Sequence, residues 1–217
     1  MIIIDYTKKH HQKIIHACVV ALRQGKVVAY PTDTCYGLAV DTENLTAIKK
    51  LYQVKGRSFK KAVSIIPSSI SAVKKIVIWN SVAEKSAKKF FPGPLTIVCP
   101  LRGEGKGRGW KILSSSSGFI GVRQPKNNIA LDLAKYLKSP ITTTSANVSG
   151  KPECYSVEDL LKQFGKTKFK PDIIINSGQL VKRKPSTIVK IDGKKVEVLR
   201  EGLISEKQIK KLLGVSL

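Results

Sequence analysis

The segment STIVKIDGKKVEVLR, residues 186–200, limits the possible folds more than any other stretch. Two alternating apolar runs flank Asp192-Gly193, which predicts an antiparallel hairpin joined by a two-residue turn. Upstream of it, helix and strand patterns interleave. Thr7 precedes Ile15, Cys18, Val19 and Leu22, spaced i, i+3, i+4, i+7, and Gly25 follows, so a helix is expected to run to about Gln24. KVVAY then reads as a buried strand stopped by Pro31. Further helices are expected from about Asn44 to Val54, through Ile70, Val73 and Val77, from a Ser81–Glu84 capping box to about Phe90, and over NIALDLAKYL. Two more start at the pairs Ser156–Asp159 and Ser205–Gln208, the last ending at Gly214. AVSII, PLTIVCPL, GFIGVR, PITTTS and PDIIIN read as strands. Interleaved helices favour parallel crossovers, whereas the hairpin demands antiparallel pairing. The expectation is an α/β fold: a single domain over residues 1–217, with a twisted mixed sheet flanked by helices.

At 217 residues such a domain buries a real core. Its 39 Lys plus Arg against 15 Asp plus Glu give a formal charge of +24, spread along the chain. That spread suits polyanionic partners such as nucleotides or RNA, and it also suits a plainly basic solvated surface. Cys18, Cys35, Cys99 and Cys154 form no CxxC, so neither a zinc knuckle nor a disulfide framework is indicated, and reduced thiols are expected. The N-terminus has no long apolar h-region and no apolar run approaches membrane-spanning length, which predicts a soluble, cytoplasmic protein. His10, His11 and His16 fall on the first helix and its approach, where they read as exposed helix residues, and no metal site is expected. Residues 102–118, rich in Gly, Ser and basic side chains, read as the one mobile loop: a lid, an RNA contact or plain disorder.

The polar motifs point to electrostatics rather than proton abstraction. In extended backbone, residues i and i+2 share a face, so Lys55 and Arg57 of KGR project together, as do Ser145 and Asn147 of SAN. An ammonium, a guanidinium fork, a hydroxyl and an amide suit phosphates and carboxylates. In PTDTCYGL, Thr32, Asp33 and Thr34 follow a strand at the edge where open α/β sheets place ligands; the same residues also suit a turn whose hydroxyls only satisfy backbone groups. FFPGPLTIV reads as a rigid turn over packed aromatics. Arg123 in GVRQP is placed as a carboxylate clamp or an ordinary surface arginine, and Arg200 in VEVLREG shares that ambiguity. No P-loop and no GxGxxG opening a helix is present, and no histidine follows residue 16 to complete a Ser-His-acid set.

PTDTCYGL, KGR, FFPGPLTIV, GVRQP, TTSANVSG, PSTIV and LREG together resemble, in order and approximate spacing, the YrdC-like family of threonylcarbamoyl-AMP synthases, in its short single-domain form. The likeness spans about residues 10–205. It implies a YrdC-like fold and a nucleotidyltransferase joining L-threonine, bicarbonate or CO2 and ATP into threonylcarbamoyl-adenylate and pyrophosphate, for modification of tRNA. It implies ATP as substrate with ATP-borne Mg²⁺, a downstream threonylcarbamoyl-transferase complex, and affinity for tRNA or double-stranded RNA. By the same resemblance Lys55, Arg57, Ser145 and Asn147 are catalytic and hold ATP with Lys61 and Arg200, while Thr34, Arg123, Thr143 and Ser186 receive threonine. Two departures stand out: Ser58 replaces a common Pro, which predicts a looser loop, and Ile66 occupies a position where longer members carry a His near threonine. A non-catalytic RNA-binding module is the reading from another class. A carbamoyl-transfer domain of the hydrogenase-maturation kind is a third, but its acylphosphatase-like segment and zinc-finger cysteines are missing.

Overall fold

A computed structural model describes residues 1–103 and 107–214. Ten strands form one sheet: β1 (Ile2–Asp5), β2 (Val28–Tyr30), β3 (Gly37–Ala39), β4 (Ser64–Ile66), β5 (Leu95–Pro100), β6 (Phe119–Arg123), β7 (Ile141–Ser145), β8 (Ile173–Asn176), β9 (Thr187–Asp192) and β10 (Lys195–Arg200). Their spatial order is β1-β8-β2-β3-β7-β4-β6-β5-β9-β10. β1, β8 and β2 run parallel, as do the pairs β4·β6 and β5·β9; the other neighbours are antiparallel. The mixed sheet expected from interleaved helices and a closing hairpin is the one observed.

The central strands are short apolar runs because both faces are covered. Val28, Tyr30, Ala39, Ile66, Ile141, Ile173 and Ile175 pack with helices α1 (His11–Arg23) and α6 (Asn128–Leu137) on one face. Their chain neighbours Val27, Ala29, Leu38, Val40, Ile65 and Ile174 join the core on the other. That second face carries α2 (Leu45–Lys55), α3 (Ile70–Ile76), α4 (Ser81–Phe90), α5 (Gly107–Leu113), α7 (Val157–Phe164) and α8 (Glu206–Leu213). In α1, Ile15, Val19 and Leu22 are buried, and each such side chain contributes about 1.5–3 kcal/mol. Among the described residues, no helix is long and apolar enough to cross a membrane.

Local signals placed most elements. Gly25 takes φ 76 just after α1, and Ser205 and Gln208 form the capping box of α8, which ends on left-handed Gly214. Three expectations need correction. The cap of α4 is Asn80, whose side chain accepts from Ala83 N, while Glu84 instead accepts from Trp79 Nε1 at 2.9 Å. Asp192 pairs with Lys195, so the hairpin's central residues are Gly193 and Lys194 rather than Asp192 and Gly193. Gly193, with φ 58, supplies the positive dihedral there.

The largest correction concerns residues 102–118. Residues 104–106 lie outside the described set, but α5 follows them as a packed helix, with Trp110 and Leu113 buried in the main core. Leu113 O accepts from Val63 N at 2.9 Å, and the Tyr52 hydroxyl lies 3.2 Å from Ile112 O. Gly109 allows the close approach to α2: a Cβ there would meet Ile48 Cδ1 at 2.8 Å. The segment buttresses α2 instead of swinging free, because Trp110, Ile112 and Leu113 supply an apolar side that glycine content concealed. Trp110→Ala is expected to destabilise the protein by about 3–5 kcal/mol, read as a lowered urea midpoint at unchanged slope. A midpoint equal to wild type would show that α5 is not part of the cooperative core.

Candidate active site

The C-terminal ends of β2, β6, β7 and β10 open onto one cleft of about 190 Å³. Thr32 and Thr34 reach it from the turn after β2, Arg123 from β6, Thr143 to Ser145 from β7, and Arg200 from β10. Ser186, just before β9, and Arg57, just after α2, complete the polar wall. The sequence motifs, far apart in the chain, converge here from strands of both directions, β2 and β7 running one way and β6 and β10 the other.

The PTDTCYGL turn serves both of the roles left open for it. Thr32 Oγ1 donates to Cys35 O at 2.6 Å and accepts from the backbone N–H groups of Thr34 and Cys35, so this hydroxyl is spent on the turn. The turn in turn presents Asp33 and Thr34 to Arg123. Arg123 Nη2 donates to Asp33 Oδ1 and, at 3.1 Å, to Thr34 Oγ1. Asp33 Oδ2 accepts from Lys126 N at 3.1 Å. Arg123 is only 8% exposed, yet its Nε has no partner. A buried guanidinium N–H without a partner costs free energy unless an acceptor meets it. Thr34, Thr143 and Ser186 surround the same space with buried hydroxyls.

KGR behaves differently from the extended geometry its spacing suggested. α2 continues through Lys55, and Gly56 then caps it in the left-handed region at φ 55. The two side chains therefore diverge. Lys55 does not line the cleft. It is 1% exposed and its Nζ donates to Ser145 O, to Asn147 O at 2.9 Å and to Asn147 Oδ1 at 3.2 Å. Burial, and next the Arg57 charge, push its pKa down to about 8. Arg57 does face the cleft, held by Nη2 donating to Ala62 O at 3.0 Å. Burial lowers its pKa, as it does that of Arg200.

SAN divides in the same way. Ser145 lines the cleft and its Oγ donates to Asn147 Oδ1 at 2.6 Å. Asn147 is buried outside the lining, with Nδ2 donating to Val148 O and Lys151 O. The backbone bends after β7, so the Asn147 amide turns into the loop, in contact with the Ser145 hydroxyl, instead of lining the cleft beside it. Lys55 and Asn147 thus brace the Ser145 loop from outside the lining. Lys55→Met is expected to leave its three oxygen partners short of a donor, costing about 1–3 kcal/mol of stability and loosening Ser145. Thermal unfolding together with turnover checks this, and an unchanged melting curve would remove the bracing role.

The remaining candidates also have definite places. Arg200 is anchored on Ser186, with Nη2 2.8 Å from its carbonyl and 3.2 Å from its Oγ. Gly202 permits this, since a Cβ there would sit 2.1 Å from Pro185 O. Lys61 is exposed outside the lining, and its carbonyl receives the Tyr52 hydroxyl at 3.0 Å. Ser58 closes its loop rather than loosening it, accepting from Lys60 N through Oγ and from Lys61 N through its carbonyl. Ile66 is fully buried against the α1 and α6 core, away from the lining. Among the histidines, His11 is partly buried rather than exposed, with Nε2 2.8 Å from Asp132 Oδ2. All four cysteines are free and buried; burial pushes the Cys35 thiol, which touches the cleft, up to about 12, so it offers no thiolate nucleophile.

Sequence reasoning missed Asp33 as the partner of Arg123, and it missed Thr96 and Glu153 in the lining. Thr96 is the cross-strand partner of Arg123 and lies 3.2 Å from Ser186 Oγ. Strand register alone could have revealed it.

A family model described as telomere recombination, the Sua5, YciO and YrdC grouping, matches residues 20–202. The chain belongs to the Sua5/YciO/YrdC family. A Methanocaldococcus jannaschii relative, named provisionally as a threonylcarbamoyl-AMP synthase, is 34% identical over 202 residues, covering 93% of this chain and 92% of its own. The threonylcarbamoyl-AMP synthase of Pyrococcus abyssi is 31% identical over 217 residues, which cover 98% of this chain. This family member spans only 61% of the Pyrococcus protein's length. The crystal structure of P. abyssi Sua5 complexed with L-threonine superposes with a TM-score of 0.88 at 30% identity, over 99% of this chain and 61% of that one.

Proposed function

We propose that this chain is a threonylcarbamoyl-AMP synthase. It joins L-threonine, bicarbonate and ATP into threonylcarbamoyl-adenylate and pyrophosphate, as a nucleotidyltransferase. The observation that carries this reading is the unpartnered, buried Nε of Arg123 beside Thr34, Thr143 and Ser186, in the cleft that also holds Arg57, Ser145 and Arg200. One end suits an amino acid: Arg123 for the carboxylate, hydroxyls for the polar side chain. The other suits a triphosphate. The likeness to a protein crystallised with L-threonine supports the same assignment.

The chemistry fits a site without a base. Threonine carbamate is already anionic when its oxygen attacks the α-phosphorus; the new P–O bond forms as the bond to pyrophosphate breaks. The protein's task is to align these atoms and offset the charge on the leaving group. Arg57 and Arg200 supply the charge, Ser145 a hydroxyl, and Lys55 and Asn147 hold the Ser145 loop. Mg²⁺ enters with ATP. No cluster of three His, Cys, Asp or Glu exists among the described residues, so the donor set fits an ion carried by phosphates rather than a protein cage. Residues 1–217 act as one catalytic unit in the cytoplasm, and the basic surface suits a tRNA-linked role in which a downstream transferase takes up the adenylate.

Pyrophosphate release from ATP by the purified protein, with and without threonine and bicarbonate, tests the reading alongside mass detection of the adenylate. Release that needs both co-substrates is expected. No release, with RNA binding that falls steeply with salt, would place the chain among non-catalytic RNA-binding modules.

A further inference from the structure

Glu153 is the carboxylate in the cleft lining, set among Arg57, Arg123 and Arg200. It needs a reason. The triphosphate, the threonine carboxylate and the carbamate are all anions, and two like charges 4 Å apart repel by about 4 kcal/mol near a protein surface. A carboxylate held in this cleft is therefore tolerable where it faces a donor group of a substrate.

Its position is fixed. The Tyr155 hydroxyl donates to Glu153 Oε2 at 3.0 Å, and Tyr155 N is itself held by Asp159 Oδ2 at 2.9 Å. Glu153 also lies on the loop that Ser145 begins, a loop tied down by Asn147 Nδ2 on Lys151 O and by Gln163 on Val148 N and Pro152 O. On the proposed function that loop, which begins at Ser145, belongs to the nucleotide. The charge of Glu153 bears on Arg200, Lys55 and Cys35, whereas the carboxylate that pairs with Arg123 is Asp33. Among the donors a nucleotide carries, the ribose 2′- and 3′-hydroxyls are uncharged, adjacent and matched to one carboxylate, the arrangement acidic residues adopt in other nucleotide sites.

We propose that Glu153, oriented by Tyr155, accepts hydrogen bonds from the vicinal ribose hydroxyls of ATP and makes the site select ribonucleotides. The assignment rests on the synthase reading only in that it needs ATP in this cleft.

Calorimetric binding of ATP and 2′-deoxy-ATP to the wild-type protein, Glu153→Gln and Glu153→Ala tests it, with threonine saturation followed in parallel. The wild type is expected to bind ATP about tenfold more tightly than the deoxy analogue, the worth of one hydrogen bond to a charged acceptor. Glu153→Ala should bring that ratio near 1 by weakening ATP more than the deoxy analogue, which has only the 3′-hydroxyl contact to lose, and Glu153→Gln, which keeps an acceptor oxygen, should retain part of it. A ratio unchanged in Glu153→Ala overturns the proposal. So does a change confined to threonine saturation, which would assign Glu153 to the ammonium group. Selective nucleotide binding by a protein that forms no adenylate would remove the synthase reading and leave this one standing, while failure to bind either nucleotide would overturn both.

Discussion

Arg123→Ala is expected to raise the threonine concentration for half-maximal synthesis by at least about 30-fold. The residue lines the cleft, its buried Nε has no partner, and Nη2 is committed to Asp33 and Thr34. Removing one member of a buried, hydrogen-bonded charge pair costs about 2–5 kcal/mol, and each 1.4 kcal/mol is a factor of ten in affinity. The substitution has a second consequence, because the Asp33 side chain is as buried as its partner's, at 9% against 10% exposure. Left alone, that carboxylate is an uncompensated charge, and stability should fall by about 3–5 kcal/mol. The two effects separate in the double variant Asp33→Asn/Arg123→Ala: stability should return in large part, threonine use should not. Threonine titration of pyrophosphate release on both variants, with urea unfolding beside it, reads the difference. Unchanged half-saturation in Arg123→Ala would remove the residue from the amino-acid site.

How legible the molecule was depends on how local each signal is. α1 and α8 declare themselves in the sequence because their apolar spacing and end signals lie within one segment: Gly25, Ser205, Gln208 and Gly214 occupy the positions that capping chemistry requires, whereas Thr7 caps the 3-10 turn Lys8–His10 ahead of α1, whose own N-cap, His10, makes no side-chain cap bond. β1 and β3 passed unnoticed: Ile2–Asp5 has no turn signal before it, and Gly37–Ala39 contains a glycine and no β-branched residue. α5 was misread because glycines, serines and basic residues dominate the segment 102–118 around its three apolar side chains, and only the tertiary fit of Trp110 and Leu113 reveals a buried side. The site shows the same division. Motif residues Arg57, Ser145, Thr34, Thr143, Arg123, Ser186 and Arg200 do meet in one cleft. Lys55 and Asn147 stand behind it, since a helix end at Gly56 and a bend after Ser145 break the extended geometry that would have brought each pair to one face. Asp33 and Glu153 gain meaning only from neighbours supplied by other parts of the chain.

That division decides what the two cleft-facing donors should do when removed. Arg57→Ala and Ser145→Ala are each expected to cut turnover about 10²- to 10³-fold, the usual result of losing one preorganised electrostatic donor. Stability should barely change. Arg57 touches its loop through the carbonyls of Lys61 and Ala62, and Ser145 is only partly buried, so neither substitution opens a core cavity. Lys55→Met should differ in kind, losing stability together with turnover, because Lys55 acts on the reaction only through Ser145 and Asn147. Single-turnover adenylate formation and unfolding midpoints on the three variants check the pattern. Near-normal synthesis by Arg57→Ala would place the leaving-group charge on Arg200 alone, and near-normal synthesis by Ser145→Ala would reduce the SAN loop to a structural turn. If all three variants instead lost stability and rate in proportion, the motifs would be holding the cleft open rather than working inside it.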